Sequence, residues 1–310
     1  MFNSFISYLV TFSTVWVYTG AECDRCCTVT MSKEFSNLAD EVQTIMSRLS
    51  DDNEDFIQSV YVQNTRAPVI VLYSQNQIDD LRLLCSQDCP SNLRSVLSVD
   101  RTFNLSSLFV TVMVFRKRKV TRKCTQELLI FIGPIMLHGD GRYATYHHFF
   151  SHVNAALNGC SVDSSEIACD NFVTGSDEKL ALVNAVKPTF HNTNQLYCMI
   201  HCKDNVRHHL TIIGVPSKFR EQILTRLFGC NCVSESPDEE TMDDRIADVM
   251  QYMRQKAADV VSYIQERILP KISGNNRVKW QESWLGKHQW TNNNCESANH
   301  LLKLQVRIIL

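Results

Sequence analysis

The order of predicted strands and helices after residue 90 is the feature that most constrains the fold. Runs of β-branched and aromatic residues at 95–99, 108–115 and 128–137 are joined by short connections, which predicts a three-stranded antiparallel meander. Helix and strand patterns then alternate, with helices predicted at 142–157, 178–186 and from 203, and strands at 167–173 and 196–201. This order predicts an α/β protein whose mixed β-sheet has helices on both faces.

The stretch from about 211 to 285 is predicted to be an all-helical insertion. Apolar residues recur there at helical spacing, with Thr241 as the predicted N-cap and Pro270 as the predicted end of the longest helix. Further upstream, apolar spacing predicts a helix within 30–65 and a strand at 69–73. These changes divide the chain into an N-terminal region at 1–90, a core at 91–210, the insertion at 211–285 and a final helix at 286–310.

The charge distribution gives two opposing indications about nucleic-acid binding. The chain carries 31 basic and 33 acidic side chains, and this near balance is untypical of a protein that coats nucleic acid. The predicted turn at 116–123 is nevertheless strongly basic, through Arg116, Lys117, Arg118, Lys119, Arg122 and Lys123. Two interpretations remain open: a solvated hairpin tip, or a segment that contacts DNA phosphates or serves as a nuclear-localisation signal.

The cysteines and the N-terminal residues bear on the compartment. Thirteen scattered cysteines favour buried thiols in a reducing compartment, although Cys23, Cys26 and Cys27 also suit one half of a zinc site. Residues 1–21 carry no charge, so a secretory leader is the alternative, and the absence of Lys and Arg there disfavours it. Serine and threonine interrupt this stretch, which makes it a poor membrane-spanning helix, and no membrane partner is expected.

Three acidic residues stand where a sheet and a helix can bring them together. Asp100 ends the first predicted strand of the meander, Asp177 follows the fourth strand, and Glu296 opens a helix after an Asn-rich cap. Converging carboxylates suit Mg²⁺, which prefers oxygen ligands, and two such ions can catalyse phosphoryl transfer. The alternative is that these acids are ordinary caps at a strand end and a helix start.

Four segments resemble motifs of the Mutator-like (MULE) transposase domain, a member of the RNase H-like superfamily. In chain order they are Val99–Leu105 around the first Asp, Gly175–Asp177 around the second, the Cys198/His201 pair, and Asn292–Asn299 around Glu296. The long interval before Glu296 is similar to the helical insertion that such enzymes carry. One departure is Glu178, which stands where the family often has glycine.

The resemblance implies an RNase H-like core, interrupted by a helical insertion before the last acidic residue, and the activity of a DDE-type DNA transposase. Asp100, Asp177 and Glu296 would hold Mg²⁺ or Mn²⁺, with Cys198 and His201 as supporting residues. The implied partners are double-stranded DNA, as transposon terminal repeats and target, and a second copy of the chain in the nucleus. The alternative is a catalytically degenerate or domesticated derivative that binds DNA or protein through the same fold.

Overall fold

The computed structural model describes residues 56–62, 68–85, 89–105, 108–121, 123, 128–159, 173–190, 193–286 and 288–309. The chain divides into two compact units. The first contains residues 1–172, 180–193 and 293–310, and the second contains 173–179 and 194–292. Several predictions lie outside the described residues: the helix around 30–49, the cysteines at 23–27, Arg122 and residues 167–172 of the fourth strand.

The first unit contains five β-strands with antiparallel pairing. They are β1 (Ile57–Tyr61), β2 (Val69–Leu72), β3 (Leu97–Leu105), β4 (Leu108–Thr121) and β5 (Leu128–His138). The order across the sheet is β1-β2-β5-β4-β3, so the predicted meander β3-β4-β5 is present and β2 extends it beyond β5. In this register Asp100 of β3 stands opposite Val112 of β4, and Val112 stands opposite Ile135 of β5.

Helices cover both faces of this sheet because apolar residues point to both sides of its strands. Along β4, Met113 and Phe115 face a core that includes α1 (Gln75–Cys85), α2 (Tyr143–Asn158) and α3 (Leu180–Thr189). The alternate residues face a second core with Cys295, Ala298 and Leu302 of the last helix, Asn293–Ile309. Each fully buried apolar side chain contributes about 1.5–3 kcal/mol, so both faces stabilise the unit.

The second unit combines a parallel strand pair with helices. Strands β6 (Val173–Ser176) and β7 (Asn194–Tyr197) pair in parallel. Helices follow β7: α4 (Met199–Ile212), α5 (Ser217–Phe228), α6 (Glu239–Lys256), the single turn α7 (Val261–Tyr263), a π-helical turn (Ile264–Ile268) and α8 (Leu269–Gln281). Their buried residues, such as Leu210, Leu227 and Ile272, share one core.

The predicted fold class is confirmed. Strand pairing is mixed, helices pack on both faces of the sheet in the first unit, and every described element between β7 and the last helix, α9 (Asn293–Ile309), is helical. This arrangement is consistent with the RNase H-like α/β fold that the resemblance implies. The predicted helix within 30–65 is closed by the polar run at 50–53 and lies outside the described residues, and β1, which follows this run, pairs with β2.

Two predicted strand ends are wrong, because both strands continue beyond the apolar residues from which they were predicted. β3 continues through Asp100 to Leu105, and β4 continues to Thr121, so most of the basic segment is strand and not turn. The ladder with β5 includes Arg116 opposite Ile130 and Thr121 opposite Leu128. Backbone pairing therefore extends beyond the part of β4 that an apolar pattern marks.

Two predicted helix ends in the insertion are also wrong. The N-cap of α6 is Asp238, whose Oδ1 accepts a 2.7 Å hydrogen bond from the backbone N–H of Thr241. Pro270 does not end a helix but lies in the first turn of α8, where its missing N–H breaks no intrahelical hydrogen bond. A π-helical turn connects the preceding helical residues to α8, so the helical run passes the proline.

Candidate functional site

The parallel pairing of β6 with β7 sets the position of Asp177. Ser176 is in register with Tyr197, so the residues that follow, Asp177 and Cys198, leave the same edge of the strand pair. The backbone N–H of Cys198 donates a 3.1 Å hydrogen bond to the carbonyl of Ser176, which fixes this arrangement. Asp177 and Cys198 therefore lie side by side at the end of the pair.

Helix α4 adds His201 to these two residues. The sequence predicted a strand over 196–201, but β7 ends at Tyr197, Cys198 is the N-cap of α4 and His201 lies in its first turn. The Nδ1 atom of His201 is 2.9 Å from Oδ1 of Asp177. One ligand atom each of Asp177, Cys198 and His201 lies within 4.8 Å of the others, and we call these three residues the Asp-Cys-His cluster.

Asn292 contacts two members of this cluster. Its side-chain Nδ2 donates a 3.2 Å hydrogen bond to Oδ1 of Asp177, and its backbone N–H donates one of 3.3 Å to Sγ of Cys198. Asn292 is fully buried. The sequence motif singled out Asn292 because it precedes Glu296, but its contacts with residues so distant in sequence appear only in the fold.

Trp290 is a residue of this site that the sequence analysis missed. Its carbonyl accepts a 3.1 Å hydrogen bond from the backbone N–H of Met199, in the first turn of α4. Its indole lies against Gly175, where a Cβ atom would stand 2.1 Å from Cζ2 of the ring. Glycine is therefore required at 175 to admit the indole. The glycine in Gly175-Ser176-Asp177 was the available signal, but it does not identify the ring that approaches.

The electrostatics of the cluster favour an ion pair. The hydrogen bond with Asp177, followed by that with Cys198, raises the pKa of His201 to about 11 although burial opposes it. Burial on its own raises the pKa of Asp177, but hydrogen bonds from His201 and Asn292 outweigh it, and the net shift is downward. Asp177 is therefore ionised at neutral pH. Lys179 adds a longer ion pair, with Nζ 4.0 Å from Oδ2 of Asp177.

Glu178, which departs from the motif that the resemblance suggests, contacts three polar side chains of the second unit. Its carboxylate accepts hydrogen bonds from Sγ of Cys202 and from Nδ2 of Asn205 at 2.8 Å, and Nζ of Lys271 is also 2.8 Å away. Burial on its own raises the pKa of Glu178. These hydrogen bonds and the charge of Lys271 outweigh burial, so the net shift of this pKa is downward. Glu178 thus connects the end of β6 to α4 and α8.

The other two predicted acids belong to the first unit. Asp100 is only 7% exposed, and its Oδ2 accepts a 3.0 Å hydrogen bond from Nδ2 of Asn299 on α9. Glu296 is exposed on the same helix, three residues before Asn299. Residues three apart neighbour each other on a helix surface. The structure therefore associates Asp100 with the helix that carries Glu296.

Two described residues of the basic segment at 116–123 make contacts within the protein. Nζ of Lys117 is 2.6 Å from Oδ2 of Asp80 and 4.6 Å from the centroid of the Phe131 ring. The backbone N–H of Arg116 donates a 2.8 Å hydrogen bond to Oγ of Ser95, and Lys123 is exposed. The side chains of Arg118 and Lys119, like all of Arg122, lie outside the described residues. Lys117 is thus not part of a solvated tip.

Comparisons with known proteins identify no family for this chain. No protein-family model matches it, and no curated protein sequence matches it. Among the helices in the described part of the chain, none combines the length and apolar character needed to cross a membrane.

Proposed function

We propose that this protein is a DDE-type DNA transposase of the Mutator-like kind, which cuts DNA at transposon ends and joins the freed 3′-hydroxyl to target DNA. One observation carries the proposal. The motif that contains Glu296 supplies Asn292, which donates to Asp177, and Asn299, which donates to Asp100. Each of the other two predicted acids thus receives an amide hydrogen bond from the motif of the third.

The proposed metal ligands are Asp100, Asp177 and Glu296, and their carboxylate oxygens suit Mg²⁺ or Mn²⁺. When bound, such ions make water a stronger nucleophile and stabilise the leaving oxygen of a phosphodiester. The protein's own contribution is positioning. Asn299 orients the buried carboxylate of Asp100, while Asn292 and His201 keep Asp177 ionised at neutral pH.

Double-stranded DNA is the proposed substrate, and the proposed phosphate contacts come from the basic segment. Because Lys117 is paired with Asp80, we assign the larger share of this interaction to Arg118, Lys119, Arg122 and Lys123. Neutralising these four residues should weaken DNA binding and reduce its salt dependence, since fewer counterions are released. The implied assembly on two DNA ends and the nuclear location belong to the same proposal.

The test is Mg²⁺-dependent cleavage of a plasmid that carries terminal inverted repeats. We expect Asp100→Asn and Glu296→Gln each to reduce the cleavage rate at least about 100-fold, because each removes a carboxylate that acts on the developing charge. Glu240→Gln is the matched control, since Glu240 is an exposed acid on α6. Wild-type cleavage by both Asp100→Asn and Glu296→Gln would overturn the site assignment.

A degenerate or domesticated derivative is the second candidate. It is favoured by the environment of Asp177, because contacts with both His201 and Asn292 within the protein already engage Oδ1 of Asp177. This candidate predicts that the protein binds DNA with the same salt dependence but cleaves no plasmid in Mg²⁺ or Mn²⁺. A gel-shift assay beside the cleavage assay separates the two candidates.

A further inference from the structure

The Asp-Cys-His cluster contains a set of donors that differs from the all-carboxylate set considered above. It combines a carboxylate oxygen, a thiol sulfur and an imidazole nitrogen within 4.8 Å of one another. Thiolate and imidazole are ligands of Zn²⁺, whereas Mg²⁺ is bound through oxygen. The cluster therefore suits a softer cation than the one that the proposed function needs.

The local backbone holds two of these donors in a chelating arrangement. Cys198 is the N-cap of α4, a helix of 14 residues, and His201 follows in its first turn. The thiolate is the form of cysteine that binds metal. Tetrahedral zinc bonds of about 2.0–2.3 Å place ligand atoms about 3.3–3.7 Å apart, so shifts of about 1 Å suffice here.

A fourth donor is indicated by an independent observation on Asn292. Its side-chain Oδ1 is buried and has no hydrogen-bond partner among the described residues, and the residue as a whole is fully buried. A buried acceptor in this state is uncommon in folded proteins. The amide already touches the cluster through Nδ2, and a half-turn of the amide exchanges Nδ2 for Oδ1.

We propose that Asp177, Cys198 and His201 bind Zn²⁺, with Oδ1 of Asn292 as the fourth ligand. On binding, the Cys198 thiol and the His201 imidazolium each release one proton to solvent, and the metal takes the vacated lone pairs. Asn292 gives up its hydrogen bond to Asp177 and gains a metal bond in its place. The inference goes beyond the proposed function, because zinc binding requires neither DNA nor cleavage.

Zinc at this site has a consequence for the proposed function if that function holds. Zn²⁺ would occupy a carboxylate oxygen of Asp177 that the catalytic Mg²⁺ needs. Micromolar Zn²⁺ should then inhibit Mg²⁺-dependent cleavage by the wild-type protein. The same Zn²⁺ should inhibit cleavage by Cys198→Ser less, because that variant has lost the thiolate ligand.

Cobalt substitution tests the zinc site directly on the full chain. Co²⁺ bound to a thiolate gives a sulfur-to-metal charge-transfer band in the near ultraviolet, which added Zn²⁺ removes by competition. We expect the wild-type protein to show this band, Cys198→Ser to lose it, and His201→Asn to weaken Zn²⁺ affinity at least about tenfold. Cys230→Ser is the matched control, because Cys230 is an exposed thiol of the same unit.

Three outcomes would overturn the zinc site: no charge-transfer band in the wild-type protein, a band that persists in Cys198→Ser, or a band that Cys230→Ser removes. Circular dichroism of each variant establishes that it is folded, and Asn292→Ala, which should keep the band but bind Zn²⁺ more weakly, provides a second variant. Asp100→Asn separates this inference from the proposed function. It should reduce the cleavage rate at least about 100-fold and leave the cobalt band unchanged.

Discussion

Asp100 and Asp177 are both held by an asparagine from the segment around Glu296, yet their surroundings differ. Asp100 lies within a strand of an apolar sheet, is 7% exposed and receives its amide hydrogen bond from Asn299. Asp177 follows a strand end, and its carboxylate accepts from both His201 and Asn292 with Lys179 nearby. The two carboxylates therefore differ in burial: Asp100 is almost entirely enclosed, whereas 16% of the Asp177 side chain is exposed.

The largest stability difference should appear when each asparagine is removed in turn. We expect Asn299→Ala to lower the free energy of unfolding by about 2–3 kcal/mol, because the buried Asp100 carboxylate loses its amide donor. Asn292→Ala should cost only about 0.5–1.5 kcal/mol, because Asp177 is more exposed to solvent than Asp100 and His201 still contacts it. Urea unfolding of the two variants measures both values. Equal losses, or a larger loss for Asn292→Ala, would show that Asn299 does not stabilise the fold more than Asn292 does.

A smaller effect is expected from filling the space beside Asp177. Gly175→Ala should lower the free energy of unfolding by about 1–2 kcal/mol, because its Cβ would overlap the Trp290 ring and the ring must move. Tryptophan fluorescence should shift as the indole becomes more exposed. Gly274→Ala is the matched control, since a Cβ there meets nothing within 4 Å and alanine favours the helix α8. An unchanged fluorescence spectrum in Gly175→Ala would show that the indole does not pack there.

The smallest effect on stability is expected at Asp140, an acid of the first unit that accepts hydrogen bonds at the start of α2. Its Oδ1 accepts from the backbone N–H of Arg142 at 3.1 Å and from Oγ1 of Thr145 at 2.6 Å. Burial raises the pKa of Asp140, but these hydrogen bonds, Thr145 first, bring it below the ordinary value of 3.8. We expect Asp140→Ala to cost about 1 kcal/mol at pH 7.

The pH dependence of that cost tests whether Asp140 acts as an ionised hydrogen-bond acceptor before α2. A carboxyl with a lowered pKa stabilises the fold fully above its unfolded pKa, and the contribution disappears as pH falls through the folded value. The stability difference between wild type and Asp140→Ala should therefore be constant from pH 7 to about 5 and shrink below about pH 4. A difference that grows in acid would contradict this role.

Strands β2 to β5 of the first unit were predictable because each follows from a local apolar pattern in the sequence. In β4, consecutive residues such as Val112 and Met113 belong to different cores, and long apolar runs of this kind indicate a strand buried on both faces. The ends of the strands were not predictable in the same way. Within the extension of β4, the ammonium of Lys117 pairs with Asp80 and lies over the Phe131 ring, and neither partner is close in sequence.

The sequence identified individual residues of the candidate site, but it did not predict which of them lie close together. The sequence singled out Asp177, Cys198 and His201, yet it placed the last two on a strand. The cluster forms because Ser176 and Tyr197 are in register and because α4 begins at Met199. The roles of Trp290 and Asn292 depend on contacts with residues far away in the chain, which no local pattern encodes.

Titration calorimetry with Mn²⁺ tests directly whether Asp100 and Glu296 are metal ligands. The comparison is between the wild-type protein and the double variant Asp100→Asn, Glu296→Gln, which leaves the Asp-Cys-His cluster intact. We predict that the wild-type protein binds Mn²⁺ with measurable heat and that the double variant loses this binding. Equal Mn²⁺ affinity and stoichiometry in the two proteins would contradict the claim.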